Sequence, residues 1–261
     1  IPFWKVYKLT VSGFALNYAT PVGLMGGEPY RIMELTPYVG ASKATSSVIL
    51  YVMMHIFSHF CFWFFSIFLY LALRPVDIAM GTILAVVGAV SLLAIYFFMK
   101  GYKNGMAVRT LKLLQHIPFI KEWAKRFSEN KREALERVDS QIAELHKQRR
   151  STFYASLSLE FMARIIGCLE VYFILNILTT DVSFPACILI MAFTSLFANL
   201  FFFSPMQLGA REGGFALAVG GLAIPGAFGV YTGLITRVRE LIWIVIGVLL
   251  MKVGNGTPAN K

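Results

Sequence analysis

The sequence predicts an all-α fold, a polytopic membrane helical bundle in which two broken segments form inverted re-entrant hairpins. Three observations predict it. Of the 261 residues, 57% are hydrophobic and 15% charged, against roughly 45–50% and about a quarter in soluble domains, and the mean hydropathy is +0.66. The apolar excess is gathered into long runs such as Val48–Leu73. A helix needs about 20 such residues to cross a ~30 Å hydrocarbon core, and the runs lack the alternation of a barrel strand. Finally, a Pro-to-Glu motif interrupts an apolar segment in each half of the chain. The whole chain, 1–261, reads as one transmembrane domain.

The first segment, 3–35, is broken at Thr20-Pro21-Val22-Gly23 and again at Gly26-Gly27-Glu28-Pro29. Proline removes a helix hydrogen bond and glycine loosens the backbone, so two half-helices dipping in and returning fit better than one crossing. Residues 45–99 form a membrane hairpin, with spans 45–73 and 76–99 joined by the polar turn Arg74-Pro75-Val76-Asp77. The stretch 100–150 holds 13 Lys/Arg and 6 Asp/Glu. Apolar positions Ile120, Trp123, Phe127, Leu135, Val138, Ile142 and Leu145 recur there at helical spacing, which predicts amphipathic helices at the bilayer surface. Residues 153–203 hold two more spans, 153–178 and 184–203, closed by Ser204-Pro205. A second glycine-broken re-entrant segment covers 204–224, with Gly209, Gly213, Gly214, Gly220 and Gly221 inside it. The last span is 227–251, and the tail from Gly254 reads as disordered. The chain begins with Ile, so the native N-terminus is expected upstream, with room for further helices.

The net charge of +10 does not point to nucleic acid, because +7 of it sits in 100–150. Loops retained in the cytoplasm carry this bias. That loop and the C-terminus are therefore expected on the cytoplasmic side of a bacterial inner membrane. Cys61, Cys168 and Cys187 lie within apolar spans without CxxC or Cys/His clustering, and read as small core residues. His55 and His59 are one turn apart with no acidic residue nearby in sequence, so no metal site is assigned. No cofactor is expected.

The two interruptions match in detail. Pro21-Val-Gly-Leu-Met-Gly-Gly-Glu28 and Pro205-Met-Gln-Leu-Gly-Ala-Arg-Glu212 both place Leu at the third and Glu at the seventh position after Pro, and an apolar stretch with Asn17 or Asn199 precedes each. Inverted repeats with broken helices meeting near the midplane recur in transporters, and irregular backbone at that depth must be enclosed by protein or water. The helix-break residues are thus Pro21, Gly26, Gly27, Pro205, Gly209 and Gly213.

Charged residues within or beside the apolar segments cost several kcal/mol facing lipid, so they pair or line a cavity. Asn17, Glu28, Arg31, Arg211, Glu212, Arg237, Arg239 and Glu240 are assigned to substrate binding. Glu160, Arg164 and Glu170 are assigned to cavity ion pairs, with Glu160–Arg164 at i,i+4 and Arg237–Glu240 at i,i+3 able to bridge on one helix face. The competing reading is that all these charges are internal pairs that lock the bundle.

At these residues the chain resembles the transmembrane region of lysylphosphatidylglycerol synthase, the flippase half of the multiple peptide resistance factor, and its stand-alone bacterial relatives. The resemblance rests on Asn17, Pro21, Gly27-Glu28 and Arg31, on Pro205, Leu208-Gly209 and Glu212-Gly213, and on Arg237 after the Pro225-Gly226 turn. Ala210-Arg211 departs from the plainer apolar residue that many members carry, and no aminoacyl-transferase domain is expected after the last span. The resemblance implies lipid translocation without lipid synthesis, at a central polar cavity taking an anionic, aminoacylated or lipid-linked headgroup. A membrane-embedded transferase or hydrolase using Glu28 and Glu212 as acid and base is the alternative, although no Ser/His/Asp set accompanies them. A non-catalytic assembly partner of a lipid-modifying enzyme is the third. Membrane lipids, a homo-oligomer and a lipid-modifying enzyme are the candidate partners.

Overall fold

The computed structural model describes residues 1–19, 26–104, 140, 150–179, 181–201 and 207–252. The amphipathic helices expected beyond Asn104, Pro21, Pro205 and the tail from Gly254 lie outside them. The described residues form eight helices: α1 (Phe3–Ala19), α2 (Gly27–Val39), α3 (Ala41–Leu73), α4 (Ile78–Asn104), α5 (Arg150–Leu178), α6 (Phe184–Leu200), α7 (Ala210–Gly220) and α8 (Gly226–Lys252). Three contain stretches long and apolar enough to cross a membrane, Ala41–Leu73, Ile78–Lys100 and Ser151–Leu178. α8 has 27 residues, about 40 Å of helix, but carries Arg237, Arg239 and Glu240 at its middle. α6 has 17 residues and ends at Leu200 rather than at 203.

Local chemistry sets most boundaries. Asp77 Oδ1 accepts from the Met80 N–H at 2.7 Å and starts α4 after the expected turn. Asn176 ties off α5, its Nδ2 donating to the Val182 carbonyl at 3.0 Å and its Oδ1 accepting from the Val182 N–H at 3.2 Å. Ser183 then caps α6, accepting from the Ala186 N–H at 3.4 Å. One boundary was not anticipated. α2 runs past position 35 to Val39, and α3 starts at Ala41, so a single residue, Gly40 at φ 82°, makes the whole corner. Positive φ is costly for residues with a Cβ, which is why glycine stands there.

α1 and α2 form an antiparallel hairpin. Near its open end Lys5 Nζ meets Glu34 Oε2 at 2.7 Å, midway Arg31 Nη2 donates to the Thr10 carbonyl at 3.3 Å, and near the tip the Gly27 N–H donates to Asn17 Oδ1 at 2.7 Å. A Cβ on Gly27 would lie 2.2 Å from the Gly13 carbonyl oxygen, so this crossing requires glycine at 27, while a Cβ on Gly13 would lie 2.4 Å from Arg31 Nε, so glycine at 13 leaves room for that side chain. α6 and α7 form a second antiparallel hairpin: Gly214 sits over Thr194, while Phe215 and Val219 pack with Ile190, Cys187, Val171 and Leu175.

α8 lies against both hairpins. Ser12 Oγ donates to the Gly247 carbonyl at 3.0 Å, and Tyr18 reaches Glu240, so α1 descends α8 from its C-terminal end to its middle. Arg237 meets Glu212, Gly233 lies under Glu212 and Gly229 under Phe215 and Ala216, so α7 continues from the middle to the N-terminal end. The two hairpins therefore approach from opposite ends of α8, and Tyr18 of α1 and Glu212 of α7 both reach residues 237–240. α3 packs on α2, α4, α5 and α6. Its core contacts are Met54 and Phe57 with Phe98 and Phe153, and Phe62 and Trp63 with Cys168, Ile188 and Ala192. Cys168 and Cys187 are buried in these clusters and Cys61 is half-buried. Large apolar side chains such as Ile78, Ile177 and Phe173 face outward, as lipid contact requires.

Candidate functional site

Both motif glutamates stand in the first turn of the helix that follows a break, where the helix N-terminus favours a carboxylate. Their partners differ. Glu212 Oε2 accepts from the Gly209 N–H at 2.9 Å, closing the turn on which Gly209 takes φ 78° and Gln207 φ 53°. Its Oε1 accepts from Arg237 Nε at 2.8 Å, and Arg237 Nη2 donates to the Gln207 carbonyl at 2.9 Å. α8 thus grips the second break through a single arginine.

Glu240, 3% exposed, is the centre of the site. Arg211 pairs directly with its Oε1, to which Tyr18 Oη donates from α1 at 3.4 Å. Arg237 Nη1 is 3.8 Å from Oε2, the expected i,i+3 contact, and Arg239 Nη2 is 3.8 Å from Oε1. Arg239 turns its other nitrogen to Glu170 Oε2 on α5, at 2.5 Å. Three arginines and three glutamates from α5, α7 and α8 therefore form one cluster with no net charge, capped by Tyr18 of α1. Such groups are stable at membrane depth only when paired in this way.

A second, smaller group lies one residue back along α1. Asn17 Nδ2 donates to Glu28 Oε1 at 3.0 Å, and Arg31 Nη1 donates to the same oxygen at 3.2 Å. The Arg31 guanidinium lies 4.9 Å above the Tyr51 ring of α3, a favourable cation–π position. Glu28 Oε2 is buried without a hydrogen-bond partner. Asn17 and Tyr18 are adjacent, so the last turn of α1 joins this group to the Glu240 cluster.

A family model described as Lysylphosphatidylglycerol synthase TM region matches residues 1–247. The chain belongs to this family. No curated protein and no solved structure matches it. As a member of the lysylphosphatidylglycerol synthase TM region family it is a multi-helix membrane protein, and the expected resemblance is correct.

All eight described substrate-binding candidates of the sequence fall into these two groups: Asn17, Glu28 and Arg31 in one, Arg211, Glu212, Arg237, Arg239 and Glu240 in the other. Glu170 also joins the second, through Arg239. Glu160 and Arg164 do not bridge each other along α5. Both reach across to α3, Glu160 to His55 Nδ1 at 3.3 Å and Arg164 to Ser58 Oγ at 2.8 Å, the His55 carbonyl at 2.9 Å and His59 Nδ1 at 3.1 Å. The cross-helix acceptors outcompete the local pair because α3 presents three of them on one face. Tyr18 and Tyr51, outside the expected set, also join these groups; adjacency to Asn17 and one-turn spacing to His55 are the signals that mark them in the sequence.

Proposed function

We propose that this chain is a lipid flippase-like transporter, moving an anionic or aminoacylated, lipid-linked headgroup through the polar site between the hairpin tips while the tails stay in the bilayer. The observation that carries the reading is the cluster of three arginines and three glutamates where two broken helices meet opposite the middle of α8. Arginine forks match phosphate. A headgroup phosphate can take the place of Glu212 or Glu170 on its arginine, and the released carboxylate then needs the cationic part of the headgroup as its partner, since a buried charge left unpaired costs about 3–5 kcal/mol. Glu28, with one buried oxygen unpartnered, suits the cationic part of a headgroup.

In this reading the two hairpins are re-entrant, one from each membrane face, and form an inverted repeat. The pairings of α1 with the C-terminal half of α8 and of α7 with its N-terminal half support it, as do the matched motif positions. The basic 100–150 stretch and the end of α8 then lie on the cytoplasmic face of a bacterial inner membrane. The chain acts on membrane lipid as a carrier rather than an enzyme and needs no cofactor.

Proteoliposomes holding headgroup-labelled phospholipids test this. Headgroup movement is expected with the wild type and is lost in Glu212→Gln and Arg237→Ala variants that retain the wild-type elution profile. Chemical conversion of the lipid without movement would instead support an enzyme. If neither variant changes the movement, the site has no part in transport.

A further inference from the structure

Apart from the two motif groups, a third set of polar side chains sits at the same height. α2 and α3 run antiparallel around Gly40, and Arg31 covers Tyr51. One turn further along α3, His55 therefore stands level with Gly27 at the hairpin tip. We infer that His55 and Glu160 form a proton-binding site inside the membrane, and that this proton is the ion to which lipid movement is coupled. The coupling half of the inference rests on the transport reading above.

The hydrogen bonds assign the protons. Arg164 Nη1 lies 3.1 Å from His59 Nδ1. A guanidinium has no acceptor, so His59 accepts there and carries its hydrogen on Nε2. A second cation is then opposed by the fixed charge of Arg164. His55 Nδ1 faces the Glu160 carboxylate at 3.3 Å and donates to it. The nitrogen left to take a proton is His55 Nε2. Binding forms one N–H bond with a proton from water, and the resulting imidazolium is paired at once by Glu160; release returns the proton to water.

Access and surroundings fit this role. The His55 side chain is 48% exposed and that of Glu160 28%. Ionisable groups at mid-depth rarely face lipid, so a proton site here requires this exposed surface to border water. The other titratable and charged groups near His55 are Tyr51 and His59 on α3, Arg164 on α5 and Arg31 of α2 over Tyr51. α4 meets the opposite face of α3 through Phe57 and Phe98, and α6 meets it two turns on, where Trp63 donates to Ser195. Charge on His55 reaches the first hairpin through its stacked neighbour Tyr51, on which Arg31 rests, and Arg31 holds Glu28.

The test has two arms on the full chain. In the first, protein labelled with 15N-histidine in lipid nanodiscs is titrated between about pH 5 and 8. One imidazole signal, absent in His55→Gln, is expected to convert to imidazolium while His59 Nδ1 remains an acceptor. A His55 signal fixed in one state, or titration at His59 instead, overturns the site. In the second, labelled-lipid movement in proteoliposomes is compared with and without a pH gradient. The ratio is expected to be severalfold for the wild type and to fall to one in His55→Gln and Glu160→Gln. A wild type indifferent to the gradient, or variants that keep its effect, overturns the coupling. A wild type that moves no lipid in any condition overturns the transport reading and the coupling together, and the first arm still decides the proton site.

Discussion

The close seat of α7 on α8 yields a graded prediction. Three glycines of α8 face α7 at i, i+3 and i+7: Gly226, Gly229 and Gly233. A Cβ at Gly226 would lie 3.6 Å from the Ala216 carbonyl oxygen, which is ordinary contact. At Gly233 it would meet Glu212 Cγ at 3.1 Å and Cα at 3.2 Å, and at Gly229 it would lie 2.6 Å from the Ala216 nitrogen and the Phe215 carbonyl. Restoring a separation of ~3.5 Å at Gly229 moves α7 outward by roughly 0.9 Å, enough to forfeit a quarter to a half of the dispersion energy along that seam. Overpacking costs about 1–3 kcal/mol, and Gly229→Ala belongs at the upper end because backbone cannot swing aside. Gly233→Ala should cost about 1 kcal/mol. Gly226→Ala should be neutral or gain up to about 1 kcal/mol from helix propensity. Unfolding by SDS titration in mixed micelles gives the three values. Finding Gly229→Ala as stable as Gly226→Ala would refute the packing argument. The same variant should slow lipid movement, since withdrawing α7 carries Glu212 away from Arg237.

Three further outcomes follow from the contacts. Glu240→Gln removes the charge that Arg211 pairs with and should cost about 3 kcal/mol or more in the same titration; Arg211→Gln combined with it should recover part of that loss, and strictly additive costs would show that the two are uncoupled. Asn17→Ala strips partners from the Gly27 N–H and Glu28, so amide exchange across 26–35 should quicken by about tenfold, corresponding to ~1.4 kcal/mol, while exchange in α4 stays as it is. Trp63→Phe loses the bond from Nε1 to Ser195 Oγ at 2.9 Å and should destabilise by about 1 kcal/mol, with no further loss when Ser195→Ala is added.

Much of the helix layout was legible because the bilayer imposes a single length rule. The ends of α3, α4, α5 and α8 near Leu73, Asp77, Leu178 and Pro225 follow from where apolar runs meet polar or proline-containing turns. The corner at Gly40 was not legible, since one glycine among small polar residues resembles helix as much as loop. The choice of charged residues was also legible, because charge within apolar sequence is conspicuous. Their pairing was not. Glu160 had an arginine one turn away and still chose a histidine 105 positions distant, and Arg211 found its partner on a different helix. Helix spacing gives which residues share a face, whereas partner choice depends on which helices the fold brings alongside.

The glycine seats on α8 have a mechanical consequence. At Gly229 the neighbouring α7 rests backbone against backbone, and at Gly247 a Cβ would lie 2.6 Å from the Val11 carbonyl of α1. Long side chains between helices act as springs that absorb small shifts; at these two glycine contacts none intervenes. α8 is therefore a stiff rod clamped near each end to a different hairpin. A displacement imposed on one hairpin passes along it with little loss, and Arg237, Arg239 and Glu240 ride on its midpoint.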